Sequence, residues 1–373
     1  MVRSRQGIPK YIMKILSIGS DRKLFEEGSQ VCERINEYGN LVEEYHVVVF
    51  ALASLGLKEK QIAKNVWIYP TNSWSRWFYV SDAARIGKKI ILDRKFVRGQ
   101  SVITTQDPFE SGWAGLKVKR QWRLPLEVQI HTDFNSPYFR GFLNSIRKII
   151  ARTVLAQADS VRSVADLPIY VDQKKIQEGR IAFDVHARYP WHFVILMVAR
   201  LEPEKNIDLA LETLSFVRQK YPDTGLVIVG AGSQEKSLKS KVKSLKLDGA
   251  VEFTGWQNDL TSFYKTSNVF LQTSLFEGYG LSLVEAGLSG LPVITTPVGI
   301  AQELEHGKDA YIYPSKRSDL FAAGVIELIE SNQKRENLRF NLKHTLESKL
   351  FSKEAYLAKI KENWENTAKK ISI

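Results

Sequence analysis

The sequence predicts an α/β protein made of two doubly wound domains, and three observations predict it. The chain has 373 residues, more than one hydrophobic core usually organises. Apolar strand-like runs alternate with helical periodicity along nearly its whole length, the pattern of a parallel sheet. That alternation breaks once, over 166–191, where the chain turns polar and charged between Pro168 and Pro190, and then restarts. Two Rossmann-like domains joined there are expected to face each other across a cleft lined by strand C-termini. The expected boundaries are an N-terminal domain over 1–171, a linker over 172–191 and a second domain over 192–352, with the terminal stretch 353–373 packing back onto the first domain.

The first series reads as a strand over Lys14–Gly19, a helix over Gly28–Tyr38, strands over Tyr45–Phe50 and Val66–Tyr69, and a mostly helical stretch over Ser75–Lys95. Strands over Ser101–Thr105 and Leu126–Ile130, a helix over Phe139–Ala156 and a strand over Ser160–Val164 complete it. The second series runs strand Phe193–Ala199, helix Ile207–Lys220, strand Leu226–Val229, helix Gln234–Leu245, strand Val251–Thr254 and strand Val269–Leu271. A helix from Leu281, a strand over Pro292–Thr295 and C-terminal helices, the last over Lys353–Lys369, follow.

Composition is that of a globular protein, 44% hydrophobic and 25% charged. The single cysteine, Cys32, excludes an intrachain disulfide and suits a reducing compartment, so a cytoplasmic location is expected. No apolar run reaches the roughly 18 residues of a membrane span, and no signal-peptide core follows the basic N-terminus. A net charge of +12 with a pI near 9.5 favours anionic partners such as phosphorylated substrates, anionic lipid or nucleic acid.

The stretch most pointed in its chemistry is Phe-Glu-Gly-Tyr-Gly-Leu-Ser-Leu-Val-Glu at 276–285. It follows a buried strand and opens a helix. Gly278 and Gly280 let the backbone approach a ligand, and the N–H groups around Tyr279, Leu281 and Ser282 can face an anion. Glu277 before the helix and Glu285 inside it bracket that cradle. A phosphate cradle between two carboxylates suits a ligand with an anionic middle and hydroxyl-rich ends, which is the make-up of a nucleotide sugar. The plain alternative is a pair of surface glutamates. Arg200 and Lys205 follow the first strand of the second domain, where ligands bind in open α/β sheets, and can neutralise a departing diphosphate. In the first domain Gly19, Asp107 and His131 end three strands. His131 is a candidate to orient a sugar or protonate a leaving group; Asp107 is either an acceptor-side residue or an N-cap before Pro108. The charged loop between Gly19 and Gly28 reads as mobile, and the strand end at Phe253–Trp256 as the side facing a nucleobase. No Asp-x-Asp triplet, zinc signature or Walker loop occurs, so neither a metal nor another cofactor is expected.

These segments resemble the GT-B retaining glycosyltransferases, specifically family 4 of the glycosyl transferases group 1 type. Val-Ala-Arg-Leu-Glu-Pro-Glu-Lys-Asn at 198–206 resembles the family's diphosphate segment, the 276–285 stretch its Glu-x7-Glu signature, and Leu-Pro-Val-Ile-Thr-Thr-Pro-Val-Gly at 291–299 the strand after it. Ile130-His131-Thr132 resembles the acceptor-side histidine segment. The resemblance implies Arg200 and Lys205 on the diphosphate, Glu277 on the donor sugar, Glu285 on the ribose, and Gly19 and His131 on the donor from the other domain. It also implies front-face transfer with retention, in glycan or glycolipid assembly, from a nucleotide diphosphate sugar to a hydroxyl or lipid-linked acceptor. Two departures stand out: Gly19 is followed by Ser20 and Asp21 rather than a second glycine, and Ile-Ala-Phe-Asp-Val at 181–185 replaces the usual Pro-Asn-Gly-Val-Asp.

Aromatic and basic residues interleave over Trp113–Arg123, and Arg140, Arg147, Lys148 and Arg152 share the Phe139 helix with Phe142 and Ile146. They suggest peripheral contact with an anionic membrane; the alternative is a charged outer face over an apolar inner one. Rival functions are a nucleotide-sugar epimerase, a DNA-modifying glucosyltransferase, or a non-catalytic binding protein for nucleotide or polyanion. Nucleic acid is not the expected partner.

Overall fold

The computed structural model describes residues 13–131, 134, 139, 141–164 and 166–370. The chain forms two units. The first runs to Pro168 and resumes at Ser352; the second spans Ile169–Phe351.

In the first unit the elements are β1 (Lys14–Gly19), α1 (Gln30–Gly39), β2 (Glu44–Val49), β3 (Lys60–Ala63), β4 (Val66–Pro70), α2 (Tyr79–Asp93) and β5 (Ser101–Thr105). Then come α3 (Glu110–Trp122), β6 (Leu126–Ile130), α4 (Phe142–Leu155) and β7 (Ser160–Ser163). The sheet order is β3-β4-β2-β1-β5-β6-β7, parallel except for β3, which pairs antiparallel with β4. Parallel strands are covered on both faces, which explains why β1, β2 and β5 are almost continuously buried. Leu16, Ile18, Ile103, Leu126 and Val128 of the sheet pack with Ala84, Ile90 and Ile91 of α2, Leu116 and Val118 of α3 and Val154 of α4.

The second unit opens with α5 (Gln173–Glu178) and α6 (Val185–Arg188), then β8 (Phe193–Val198), α7 (Ile207–Lys220), β9 (Thr224–Val229), α8 (Glu235–Ser244) and β10 (Val251–Gly255). It continues with α9 (Thr261–Thr266), β11 (Val269–Gln272), α10 (Leu281–Leu288), β12 (Val293–Thr295), β13 (Tyr311–Ile312), α11 (Ser318–Glu330) and α12 (Asn332–Lys349). Its parallel sheet has the order β10-β9-β8-β11-β12-β13. The stretch expected as a linker over 172–191 carries two short helices and is tied into this unit: Lys265 Nζ donates to the carbonyls of Gln177 and Gly179, and Ser262 Oγ accepts from Ala182 N.

The chain's last helix, α13 (Lys353–Lys369), belongs to the first unit. Glu127 of β6 is fully buried and holds it there. Its carboxylate accepts from Asn363 Nδ2 (2.6 Å) and Trp364 Nε1 (2.8 Å), and from Arg162 Nε of β7 (2.9 Å). Trp364 also packs edge-on against Tyr38 of α1. A buried carboxylate is tolerable here because every donor around it is charged or aimed at it.

The loop after Gly19 carries a single turn, Arg22–Phe25, capped by the Asp21 side chain on Lys23 N, with Ser29 capping α1. The aromatic and basic run 113–123 is the body of α3, with Ala114, Leu116 and Val118 in the core. Its Lys119 bonds Asp159 and the Gln157 carbonyl, and Arg120 lies over Trp113 and bonds Gln157. Thr132, Asp133 and Arg140 lie outside the described residues.

Candidate functional site

In the second unit the loops after β8 and β11 are adjacent because those strands pair. The first is shaped by glycines. Gly230, after β9, has φ +139°, and a Cβ there would fall 1.9 Å from the Ala199 carbonyl oxygen, so only glycine lets the loops touch. Leu201 N donates to the Ala231 carbonyl at 3.0 Å, and the Glu202 carboxylate accepts from Ser233 N and Oγ. Those bonds hold its carboxyl below the usual range. The chain then makes the turn Pro203–Lys205 and enters α7 through Asn206 in the left-handed region.

Two bonds stitch this loop to the next: Leu275 N donates to the Glu204 carbonyl (2.8 Å) and Thr273 Oγ1 to the Lys205 carbonyl (3.0 Å). The stitching delivers Lys205 Nζ to Glu277 Oε1 at 2.7 Å, with the two side chains only 14% and 12% exposed. Ser274 Oγ donates to the same oxygen at 2.7 Å, and Thr296 Oγ1 fixes the Ser274 carbonyl. Arg200 is exposed, and its guanidinium bonds Glu204 Oε1 at 2.8 Å.

The loop then turns through exposed Gly278 and buried Tyr279 to Gly280, which has φ +96° and starts α10 without a capping side chain. The N–H groups of Leu281 and Ser282 therefore have no partner within their own helix. Gly299 braces the loop from outside. At φ +58° its Cβ would lie 2.3 Å from the Tyr279 carbonyl oxygen, and the next residue, Ile300, donates its N–H to that oxygen at 2.7 Å. Beneath the loop, Gln272 Oε1 and Tyr279 OH are buried polar atoms without a hydrogen-bond partner. Glu285 sits inside α10, half-buried. Burial raises its carboxyl, partly opposed by a 2.9 Å bond from the Tyr264 hydroxyl of α9. Tyr264 is itself raised by burial and then by Glu285.

Sequence reasoning missed Ser274, Thr296, Gly299 and Tyr264. Gly299 had a signal, since it closes the quoted 291–299 segment. Tyr264 had none, because the six-residue α9 is too short for a helical period. Trp256 is exposed at the end of β10, but β9 separates that edge strand from β8. Its neighbour Gly255 accepts from Gly230 N at 2.9 Å, so that strand end adjoins the loop that touches Ala199.

In the first unit Gly19, Asp107 and His131 lie at the carboxyl ends of neighbouring strands β1, β5 and β6. Gly19 is buried, and a Cβ there would run into the Gln106 side chain, whose Oε1 accepts from Ser20 N at 3.0 Å. Asp107 is not the N-cap of α3, which starts at Glu110 with Phe109 in that position. Its carboxylate accepts from Phe109 N at 2.7 Å, and burial raises it. His131 Nε2 lies 3.1 Å from Gln129 Oε1 and so donates. The surrounding protein, and then Arg162 and Arg34, push its ring down to about 4. The residue is solvent-exposed, which screens those effects, but the direction leaves a neutral imidazole at pH 7.

Two parallel-sheet α/β units, each with its candidate residues at strand C-termini, define a GT-B protein. Residues 181–345 match the family model described as glycosyl transferases group 1. The chain is 30% identical over 173 residues to an uncharacterized glycosyltransferase of Haemophilus influenzae, covering 46% of this chain and 47% of that protein. It is 36% identical over 109 residues to the Escherichia coli UDP-Gal:alpha-D-GlcNAc-diphosphoundecaprenol alpha-1,3-galactosyltransferase, covering 28% of each. The chain thus spans less than half the length of these relatives. Anabaena Alr3699/HepE, solved in complex with UDP, superposes with a TM-score of 0.71 at 20% identity, over 95% of this chain and 100% of that one, which shows the shared fold.

Proposed function

We propose that the chain is a retaining, metal-independent glycosyltransferase that moves a sugar from a nucleoside diphosphate sugar to a hydroxyl of a glycan or lipid-linked acceptor. The observation that carries this is the stitched pair of strand-end loops, which sets Lys205 on the Glu277 carboxylate, with Arg200 on the same loop as Lys205 and the glycine-started α10 just after Glu277. Cations and helix N–H groups stabilise the diphosphate as its charge grows. Glu277 accepts from sugar hydroxyls and Glu285 from the ribose. The acceptor hydroxyl attacks the face the diphosphate leaves, and a donor phosphate oxygen takes its proton. The neutral ring of His131 can donate a hydrogen bond but has no surplus proton, which fits orienting the sugar better than acid catalysis. The diphosphoundecaprenol named for the Escherichia coli relative supports a lipid-linked acceptor.

The test is a thermal-shift panel of UDP, GDP, ADP and their sugars without added metal, on the wild type and Arg200→Ala. Stabilisation by one nucleotide, lost in the variant, and an α-configured product from an α-linked donor in the presence of chelator are expected. An inverted anomeric centre refutes retention. No response to any nucleotide refutes the donor site and leaves the non-catalytic reading.

A further inference from the structure

The α4 helix has its apolar residues on the wrong side for a core helix. Phe142 is 80% exposed, Leu143 64%, Ile146 40% and Ile149 64%. Phe142, Ile146 and Ile149 follow the i, i+4, i+7 rule and form one stripe along the outer face. Ala151 and Val154, on the opposite side, are buried against the rest of the unit. Exposing such a stripe to water is costly, roughly 25 cal/mol per Å² of apolar surface, so the stripe marks a contact.

A second apolar cluster lies on the same unit. Trp74 is 87% exposed and Trp77 84%, with Phe78 and Leu55 exposed beside them. Leu55 belongs to this cluster because Ala53 N donates to the Ser73 carbonyl and the chain bridges Leu52 to Ser73. The residues 74–78 lead directly into α2 from the carboxyl end of β4, and Phe142 and Leu143 open α4 after the carboxyl end of β6. Helix α2 packs on α3 and α3 on α4, so both clusters sit at helix starts on one sheet edge, one helix apart. At 8–10 Å per helix neighbour they are roughly 20 Å apart.

The chemistry around both clusters is cationic. Exposed Lys58 and Arg76 flank the tryptophans, and exposed Arg152 with half-buried Lys148 flanks the α4 stripe, whereas Arg147 pairs with Glu110 at 2.8 Å. Indoles and apolar side chains bordered by arginine and lysine match the interfacial region of an anionic bilayer, where rings sit at headgroup level and cations meet lipid phosphates. Among the described residues no helix is long and apolar enough to cross a membrane, so the contact is a surface one.

We propose that the first unit docks on an anionic lipid surface at two points, the outer stripe of α4 and the Trp74–Trp77 cluster. Docking would bring a lipid-linked acceptor to the carboxyl edge of this sheet, and to that extent the purpose, though not the surface, rests on the reading given above. In the α3 basic run Lys119 and Arg120 are occupied within the fold, by Asp159 and Gln157.

The experiment is flotation of the full chain with vesicles of phosphatidylcholine alone or with about a third phosphatidylglycerol. The variants are Phe142→Ser/Ile146→Ser/Ile149→Ser and Trp74→Ser/Trp77→Ser; all five positions are exposed, so folding is retained and is checked by the thermal melt. The wild type is expected to float only with anionic vesicles, and each variant to partition about tenfold more weakly or worse. Wild-type protein that stays at the bottom, or floats equally with both vesicles, overturns the proposal. So does a wild-type dimer that the α4 variant converts to monomer, which would make the stripe a self-association face. Flotation needs no catalysis: a chain that floats but binds no nucleotide keeps this surface and loses the transferase reading, and the converse separates them equally.

Discussion

Replacing Glu277 and Lys205 in turn should separate the two jobs given to the ion pair. The pair is short and nearly buried, 2.7 Å with 12% and 14% of the side chains exposed, so neither charge is well solvated alone. Lys205→Ala leaves the Glu277 carboxylate with only the Ser274 hydroxyl, and the loss should be about 3 kcal/mol, at the lower end for breaking a buried pair. For a unit of this size that is a fall in melting temperature of roughly 6–10 °C. Glu277→Gln keeps the shape, and its amide oxygen still accepts from Ser274, but it releases Lys205 from its counter-charge. A nucleoside diphosphate then no longer competes with a carboxylate for that ammonium, and affinity should rise about threefold to tenfold, on the order of 1 kcal/mol. Transfer should nevertheless fall by about 10²-fold or more, because the sugar loses its charged acceptor. Titration calorimetry with the nucleoside diphosphate, beside kcat/KM for transfer, reads both effects. If Glu277→Gln weakens nucleotide binding as much as Lys205→Ala does, the division of labour argued here is wrong.

Arg200→Ala should cost at most about 0.5 kcal/mol of stability, since its pairing with Glu204 is exposed, while nucleoside diphosphate binding weakens roughly tenfold to a hundredfold; denaturant melts and calorimetry check the contrast. His46 is wholly buried between Tyr69 and Glu44 and stacked on Trp67; burial pushes it down to about 4 from about 6.5. Because the folded-state value is the lower one, its contribution is complete above about pH 6.5 and is lost as pH falls through about 4. The wild-type advantage over His46→Gln in urea unfolding should shrink by about 3 kcal/mol across that window, and an unchanged difference would remove His46 from the acid response. Arg162→Met strips the charged donor from buried Glu127 and should cost about 3–5 kcal/mol, with early proteolysis near Ser352 as α13 loosens; wild-type resistance would mean that Asn363 and Trp364 suffice.

Where the sequence was legible, the physics was local. Lys14–Gly19, Ser101–Thr105, Leu126–Ile130 and Ile207–Lys220 were read with the ends the structure gives them, because a buried parallel strand is an apolar run between polar ends and α7 has a strong helical period. The misreadings have physical causes. Lys60–Ala63 is a short, polar, half-buried edge strand with no apolar run to announce it. In α3 the glycines and serine that let it lie close to the sheet, Gly112, Gly115 and Ser111, diluted the apolar period, so its cations stood out instead. The same difficulty hid which side of α4 faces outward: periodicity gives the stripe and not its direction.

The candidate site obeys the same rule. Glu277, Glu285, Arg200 and Lys205 were visible because charged residues beside glycines at a strand end are conspicuous, but their partners come from elsewhere in the chain. The charged groups of the site have partners within the protein: Lys205 pairs with Glu277 and Arg200 with Glu204, while Glu202 accepts hydrogen bonds from Ser233 and Glu285 one from Tyr264. Half-buried charges facing a loop would otherwise be costly to hold unpaired. Pairing lowers that cost while leaving Lys205 and Arg200 exchangeable, since each is held by one carboxylate side chain. In the proposed reading an incoming diphosphate would replace the carboxylates on Arg200 and Lys205, and the carboxylate so released from Lys205 would be Glu277, the group proposed for the sugar. Binding one end of the donor therefore frees the acceptor for the other end, and a donor lacking either its diphosphate or its sugar should gain much less than half of the affinity of the whole.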